Sequence, residues 1–269
     1  MNDFSDKLIT LITTLQLHEN GLVTITGLCL LAGVHILCGK QSWWRFFEVH
    51  GWISFSAGAS VAYVFIHVFP EISILQQQLN STPNHHYNGQ FFSQPLYLTA
   101  LAGLCLPYLL DTLELNYVEN QSKHHRRVHY GIFAKKTGLY IFYNAMLAYM
   151  IVRRHGEGVL NMKLIVVALS LHFIVINANF IELYETLFIK YTRWFAALGL
   201  LVGAIIGATL NLSGYILPYL FALIGGMITY IALKEELPKT RHRAPFHFLS
   251  GVALYALLTL AIPYYGNMH

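Results

Sequence analysis

Long apolar stretches alternate with short polar ones along almost the whole chain. A helix needs about 20 apolar residues to cross the roughly 30 Å hydrocarbon layer of a bilayer. On that scale the pattern predicts eight transmembrane helices, at residues 21–38, 51–71, 95–115, 137–152, 163–189, 194–212, 215–233 and 245–263. The fourth is short for a full crossing and calls for local thinning or shelter by its neighbours. Ahead of them, Phe4, Leu8, Ile9, Leu11, Ile12 and Leu15 give residues 1–19 the pattern of a short amphipathic segment lying on the membrane. The expected organisation is all-α. A single eight-helix membrane domain spans residues 20–263, and residues 264–269 form a short outer tail. Residues 72–94 are polar and lack Lys and Arg, as expected of an outer loop.

Composition agrees with the pattern. The chain is 55% hydrophobic and 11% charged, whereas soluble domains carry roughly 25% charged residues. Charge then sets the orientation. Thirteen of the seventeen Lys and Arg residues fall in four stretches, Lys40–Arg45, Lys123–Lys136, Lys190–Arg193 and Lys234–Arg243. Basic residues near span ends stay in the cytoplasm. With eight spans, these stretches are all inner and both termini are outside, in a multi-pass protein of the cell (inner) membrane. The pI of 8.9 follows from the inner loops and points to anionic lipid as the partner, with no nucleic acid. Cys29, Cys38 and Cys105 lie in or beside apolar helices without metal-type spacing and read as small packing residues. The N-terminus lacks the basic region of a cleaved signal, so the first span is expected to stay. Gly199, Gly203 and Gly207 recur every fourth residue on one face of the sixth span, which suits close helix packing or a moving or dimer interface.

Polar groups inside the spans carry the candidate chemistry, because each costs free energy in hydrocarbon. His172 lies nine residues after Lys163, about 13 Å down a helix rising 1.5 Å per residue and so near the midplane. Asn179, two turns on, shares its face, and Glu182 follows nearer the inner surface. Asn144 on the fourth span is at a similar depth, where it is expected to meet His172, and Tyr140, Tyr143 and Tyr149 add hydroxyls. An interhelical hydrogen bond and a polar transport path are both open readings of this pair. At the outer end of the second span His67 and Glu71 are one turn apart around Pro70, as an entry site for a cation or as a wet pair capping a helix that proline ends. The inner-loop cluster His124-His125-Arg126-Arg127 with His129, and the outer pair His85-His86, are weak metal signals, the first because its arginines repel a cation.

The ordered set of these pieces resembles the ZIP divalent-metal transporters. The likeness rests on eight spans with outer termini, a His-bearing loop between spans three and four, a second helix ending His67-Val68-Phe69-Pro70-Glu71, and Gly225-Gly226 in span seven followed by Glu235-Glu236-Leu237-Pro238. It covers residues 20–263. The resemblance implies a homodimer, a divalent cation such as Zn²⁺ as substrate, and metal ligands on spans four and five. Where that family carries His-Asn-x-x-Asp-Gly, this chain has Tyr143-Asn144-Ala145-Met146-Leu147-Ala148. Where it carries His-Glu-x-Pro-His-Glu, this chain has His172-Phe173-Ile174-Val175-Ile176-Asn177. Asn144 and His172 are retained as metal ligands, Asn177 stands where a carboxylate is usual, and the aligned positions hold no acid. A dication in a low-dielectric site needs anionic donors, so the likeness supports the architecture more than the metal site.

Three functions follow from these residues. The first is transport of a divalent cation or another small solute past His67 and Glu71, then Asn144, His172, Asn177 and Asn179, then Glu182. The second is a degenerate, non-transporting relative acting as a membrane scaffold, partner subunit or sensor. The third, an intramembrane zinc enzyme or a haem protein, is disfavoured because His35, His67 and His172 sit at different depths. The chain is therefore expected not to be an enzyme.

Overall fold

The computed structural model describes residues 21–39, 51–81, 94–119, 130–153, 159–210, 212, 215–236 and 245–261. The amphipathic segment 1–19, the His85-His86 pair, the His124–His129 cluster and the tail 264–269 lie outside these residues. Among the described residues the fold is all-helical, without strands. Its helices are α1 (Gly21–Cys38), α2 (Trp52–Ser81), α3 (Pro95–Glu119), α4 (Tyr130–Arg153), α5 (Val159–Leu187), α6 (Arg193–Thr209), α7 (Ile216–Ile231) and α8 (Pro245–Ala261).

Among the described residues, five apolar helical runs are long enough to cross a membrane: Gly21–Cys38, Trp52–Ser81, Pro95–Tyr117, Val159–Thr209 and Ile216–Lys234. Pro245–Leu260 is apolar but shorter. Helix α4 is long enough, but its lysines, tyrosines and Asn144 lower its hydropathy. Large side chains such as Leu101, Leu109, Leu201, Ile205 and Leu257 are exposed on the outside of the bundle. An apolar exterior of this extent suits lipid better than water.

Three boundaries differ from the sequence pattern. Helix α2 does not end at Pro70 but runs to Ser81. A π turn at Val64–Val68 precedes the proline, and Phe69 N–H donates to the Val64 carbonyl, five residues back. The wider turn takes up the distortion that a missing proline donor would otherwise force on the helix. Helix α4 starts at Tyr130, so Lys135 and Lys136 are helical and not part of a loop. Its 24 residues span about 36 Å, and no thinning is needed. The basic stretch Lys190–Arg193 is helical as well. A π turn at Phe188–Thr192 joins α5 directly to α6, just after Tyr184 leaves helical geometry (φ −142°, ψ 39°).

Helix directions follow from which residues meet. Tyr140 of α4 reaches Asn177 of α5 and Tyr143 reaches His172, so these helices are antiparallel. Gly199, Gly203 and Gly207 of α6 face Ile141, Ala145 and Tyr149 of α4 in ascending order, so this pair is parallel. The same reasoning makes α2 parallel to α8 and α3 parallel to α7. Helix α1 runs alongside α5, from Gly27 at Val166 to His35 at Asn177. Odd-numbered helices thus run toward one end, where Lys136, Arg193 and Lys234 cluster, and even-numbered helices run away from it. That end is the basic end of the bundle.

Close approach holds the parallel pairs together. A Cβ on Gly203 would overlap the Ala145 carbonyl, one on Gly226 the Ala100 carbonyl, and one on Gly251 the Phe55 carbonyl. Such contacts between backbones are how helices bind one another where no hydrophobic effect drives them together. The glycine face of α6 is occupied within the chain by α4. It is therefore not a free dimer surface.

Candidate functional site

Consecutive residues on an α-helix point about 100° apart, and this splits the polar groups of α4 between two neighbours. Tyr143 faces α5, where its hydroxyl lies 2.9 Å from His172 Nε2. Asn144 faces α1, where its Oδ1 lies 2.9 Å from His35 Nε2. Asn144 and His172 are at similar depth, as the sequence suggests, but the hydrogen bond described for Asn144 Oδ1 is to His35. The second His35 nitrogen, Nδ1, is 3.2 Å from Asn177 Nδ2. The Tyr140 hydroxyl donates to Asn177 Oδ1 at 3.1 Å, and Asn144 Nδ2 donates to the Tyr140 carbonyl at 2.8 Å. Three helices therefore meet at a neutral centre in which His35, Asn144 and Asn177 are completely buried. Phe173 covers the His35 ring at a centroid distance of 4.5 Å.

A second polar group lies toward the basic end. Asp111 and Glu114 of α3, Lys136 of α4, Tyr184 of α5, Tyr230 of α7 and Lys234 form one lattice. Lys136 Nζ is 2.8 Å from Asp111 Oδ1 and 2.5 Å from Glu114 Oε2. Tyr230 donates to Asp111 Oδ2 at 2.8 Å, and Lys234 bonds to the same oxygen. The Tyr184 hydroxyl donates to Glu114. Among the described residues two carboxylates and two ammonium groups balance, which suits a site largely withdrawn from water.

A cleft of about 90 Å³ runs inward from this lattice between α3, α4, α5 and α7. Asp111, Lys136 and Tyr184 line its mouth, and Tyr140 and Tyr143 line its inner part. The two tyrosines link the cleft to the buried histidines, Tyr140 through Asn177 and Tyr143 through His172. Asn179 also lines the cleft, and its buried Nδ2 has no hydrogen-bond partner. Beyond His172, away from the basic end, the packing turns apolar. A void of only about 30 Å³ lies there among residues that include Val68, Leu147, Leu169 and Ile224.

The remaining predicted residues are placed apart from the cleft. Glu182 is exposed on the outside of α5. Ten residues after His172 it is rotated by about 80°, enough to turn it out of the polar stripe expected to contain it. His67 sits half-buried in the π turn of α2, stacked on Tyr63 at 5.7 Å, and Glu71 is half-buried one turn on. The apolar void, bordered by Val68, lies between this pair and His172. Among the described residues no three His, Cys, Asp or Glu side chains converge as a metal site. The retained pair Asn144 and His172 belongs to two separate hydrogen-bonded groups.

The sequence reading missed His35 as a site residue and did not assign Asp111, Glu114 or Lys136. Asp111 and Glu114 were visible as two acids one turn apart near the end of an apolar span. Lys136 was hidden by its grouping with loop lysines.

No family model matches the chain, no curated protein matches its sequence, and no solved structure matches its fold.

Proposed function

We propose that the chain is a multi-pass membrane carrier for a small polar solute, built on a ZIP-like plan of eight spans with both termini outside. The observation that carries this reading is the cleft, which connects the Asp111–Lys136 mouth to Tyr140 and Tyr143 and through them to the two buried histidine groups. Charged groups within a helical bundle mark substrate paths in membrane proteins. The positive-inside bias puts the basic end in the cytoplasm. On that orientation the cleft opens inward, and the apolar packing around Val68, Leu147 and Leu169 closes the outer side. Rocking of one helix group against another would exchange the two. Tyr184 and the π turn between α5 and α6 are a natural hinge.

A small solute is favoured over a divalent cation as cargo. The Asp111 carboxylate that lines the cleft is already neutralised by lysines, whose charge repels a dication, and the His35 centre offers only neutral donors. The homodimer implied by the ZIP resemblance would have to use a face other than the α6 glycines.

The second reading is a non-transporting relative acting as scaffold, partner subunit or sensor. One observation favours it: both ring nitrogens of His35 already lie within hydrogen-bonding distance of asparagines, so the centre is stable without any ligand.

Flux measured in proteoliposomes separates the two. Purified protein is screened with Zn²⁺, Mn²⁺ and a panel of labelled small solutes, and His172→Ala and Tyr143→Phe are compared with wild type. Saturable flux of a solute, reduced in the variants, is expected. Protein that is folded yet moves nothing would leave the scaffold reading. Zn²⁺ flux would restore the metal-transport reading.

A further inference from the structure

We propose that the cleft binds a small zwitterion with a short apolar side chain, an α-amino acid of about the size of alanine. This inference rests on the carrier reading and names its substrate class. Three observations lead to it.

The first is charge. The mouth pairs opposite charges on facing helices, Asp111 on α3 and Lys136 on α4, at 2.8 Å, and both line the cleft. Among the described residues the surrounding lattice is neutral. A net cation or net anion would leave unbalanced charge where little water reaches it, which is costly. A zwitterion adds none. Its ammonium can take the place of Lys136 at Asp111 while its carboxylate takes the place of Asp111 at Lys136.

The second is unused hydrogen-bonding capacity. Lys136 has three N–H donors, of which two serve Asp111 and Glu114. Asn179 adds a buried Nδ2 donor without a partner, on the wall of the same cleft. The pairings of Tyr140 with Asn177 and Tyr143 with His172 set the antiparallel register, which brings position 179 opposite position 136. Two donors on facing helices, both lining one cleft, suit the two oxygens of a carboxylate.

The third is size and lining. Ile176, Phe180 and Met227 make the rest of the cleft largely apolar. Its volume of about 90 Å³ is below the roughly 150 Å³ that holds a benzene ring. With the ammonium and carboxylate held at the charged mouth, the apolar part has room for a methyl-sized side chain and not for an aromatic one.

Equilibrium binding of radiolabelled L-alanine to purified full-length protein in detergent tests the proposal without requiring transport. Saturable binding is expected, with propionate and ethylamine, each carrying one of the two charges, at least about tenfold weaker as competitors. Asn179→Leu removes a donor that holds nothing else, so it should leave the melting temperature nearly unchanged and weaken binding about tenfold. Lys136→Met should abolish binding. Equal competition by propionate or ethylamine, or unchanged affinity in Asn179→Leu, would overturn the proposal. A proteoliposome assay with the same label separates it from the carrier reading. Alanine that binds but is not moved supports the site and refutes transport. A different solute that is moved while alanine does not bind refutes the site and keeps transport. Neither binding nor flux refutes both.

Discussion

The chain stabilises polar groups inside a helical bundle in two ways, at two depths. The centre formed by α1, α4 and α5 is uncharged and fully buried, with His35 held between Asn144 and Asn177. The mouth formed by α3, α4, α5 and α7 is charged and partly exposed, with two carboxylates and two lysines in one lattice. Depth explains the difference. Deep in the bundle an ion has no water to fall back on, so amides, a phenol and an imidazole satisfy one another. Nearer the end, partial hydration makes ion pairs tolerable if they balance. The centre can therefore serve as a fixed joint, whereas the mouth can exchange partners. Only the second behaviour suits a binding site.

The mouth is where substitution should cost most. Asp111 bonds both lysines, so Asp111→Leu leaves two ammonium groups short of a partner. Removing one side of a buried ion pair costs about 3–5 kcal/mol, and a loss of that order is expected in thermal unfolding of the detergent-solubilised protein. A loss below about 1 kcal/mol, the range of exposed pairs, would mean that the mouth is solvated and the contrast with the centre too sharply drawn.

At the centre a smaller loss is expected. His35→Leu keeps approximate volume but leaves Asn144 Oδ1 and a group on Asn177 without their partner. An unsatisfied buried polar group costs about 1–3 kcal/mol. Replacing the whole set, with Asn144→Leu, Asn177→Leu and Tyr140→Phe added so that the Tyr140 hydroxyl is not stranded, should recover much of that, because an apolar set needs no partners. If the combined variant is no better than the single one, the asparagines hold the helices by packing and not through His35.

Much of this contrast could not be read from the sequence, for identifiable reasons. Apolar runs carried the helix positions well. The end at Cys38 and the start at Pro95 fall where the hydropathy change puts them. Charge was the less reliable guide to boundaries. Lys135 and Lys136 resemble the loop lysines before them, but Lys136 is helical because Asp111 and Glu114 neutralise it from α3. Pro70 looked like a stop because a missing donor usually ends a helix, and the π turn before it removed that constraint. In the site, depth was legible and azimuth was not. Asn144 and His172 do lie near one level, yet neighbouring residues on α4 serve different helices, and only packing decides that Tyr143 takes His172 and Asn144 takes His35.

A subtler substitution separates the tyrosine linkers from the groups they touch. Tyr143→Phe removes one hydroxyl from the 2.9 Å contact with His172 and leaves the ring in place. Interhelical hydrogen bonds in membranes average about 0.6 kcal/mol, so the melting temperature should hardly move. Flux should fall if Tyr143 is part of the path, because His172 then loses its connection to the cleft. Unchanged flux would make the contact a packing feature, like those at the centre.

The smallest effect is expected at Glu182, the acid that the sequence pattern assigned to the inner end of the polar path. Its side chain is exposed on the outer face of α5, turned away from the cleft that Asn179 lines. A solvated or headgroup-level carboxylate has nothing to lose when it becomes an amide, so Glu182→Gln should change stability by less than about 0.5 kcal/mol and leave flux unaltered. The same exchange at Glu114 removes the charge that Lys136 and Tyr184 both use, and should be felt in stability and flux alike. A strong flux defect in Glu182→Gln would bring the inner end of the path to the outside of α5, and the cleft between α3, α4, α5 and α7 would no longer be the route.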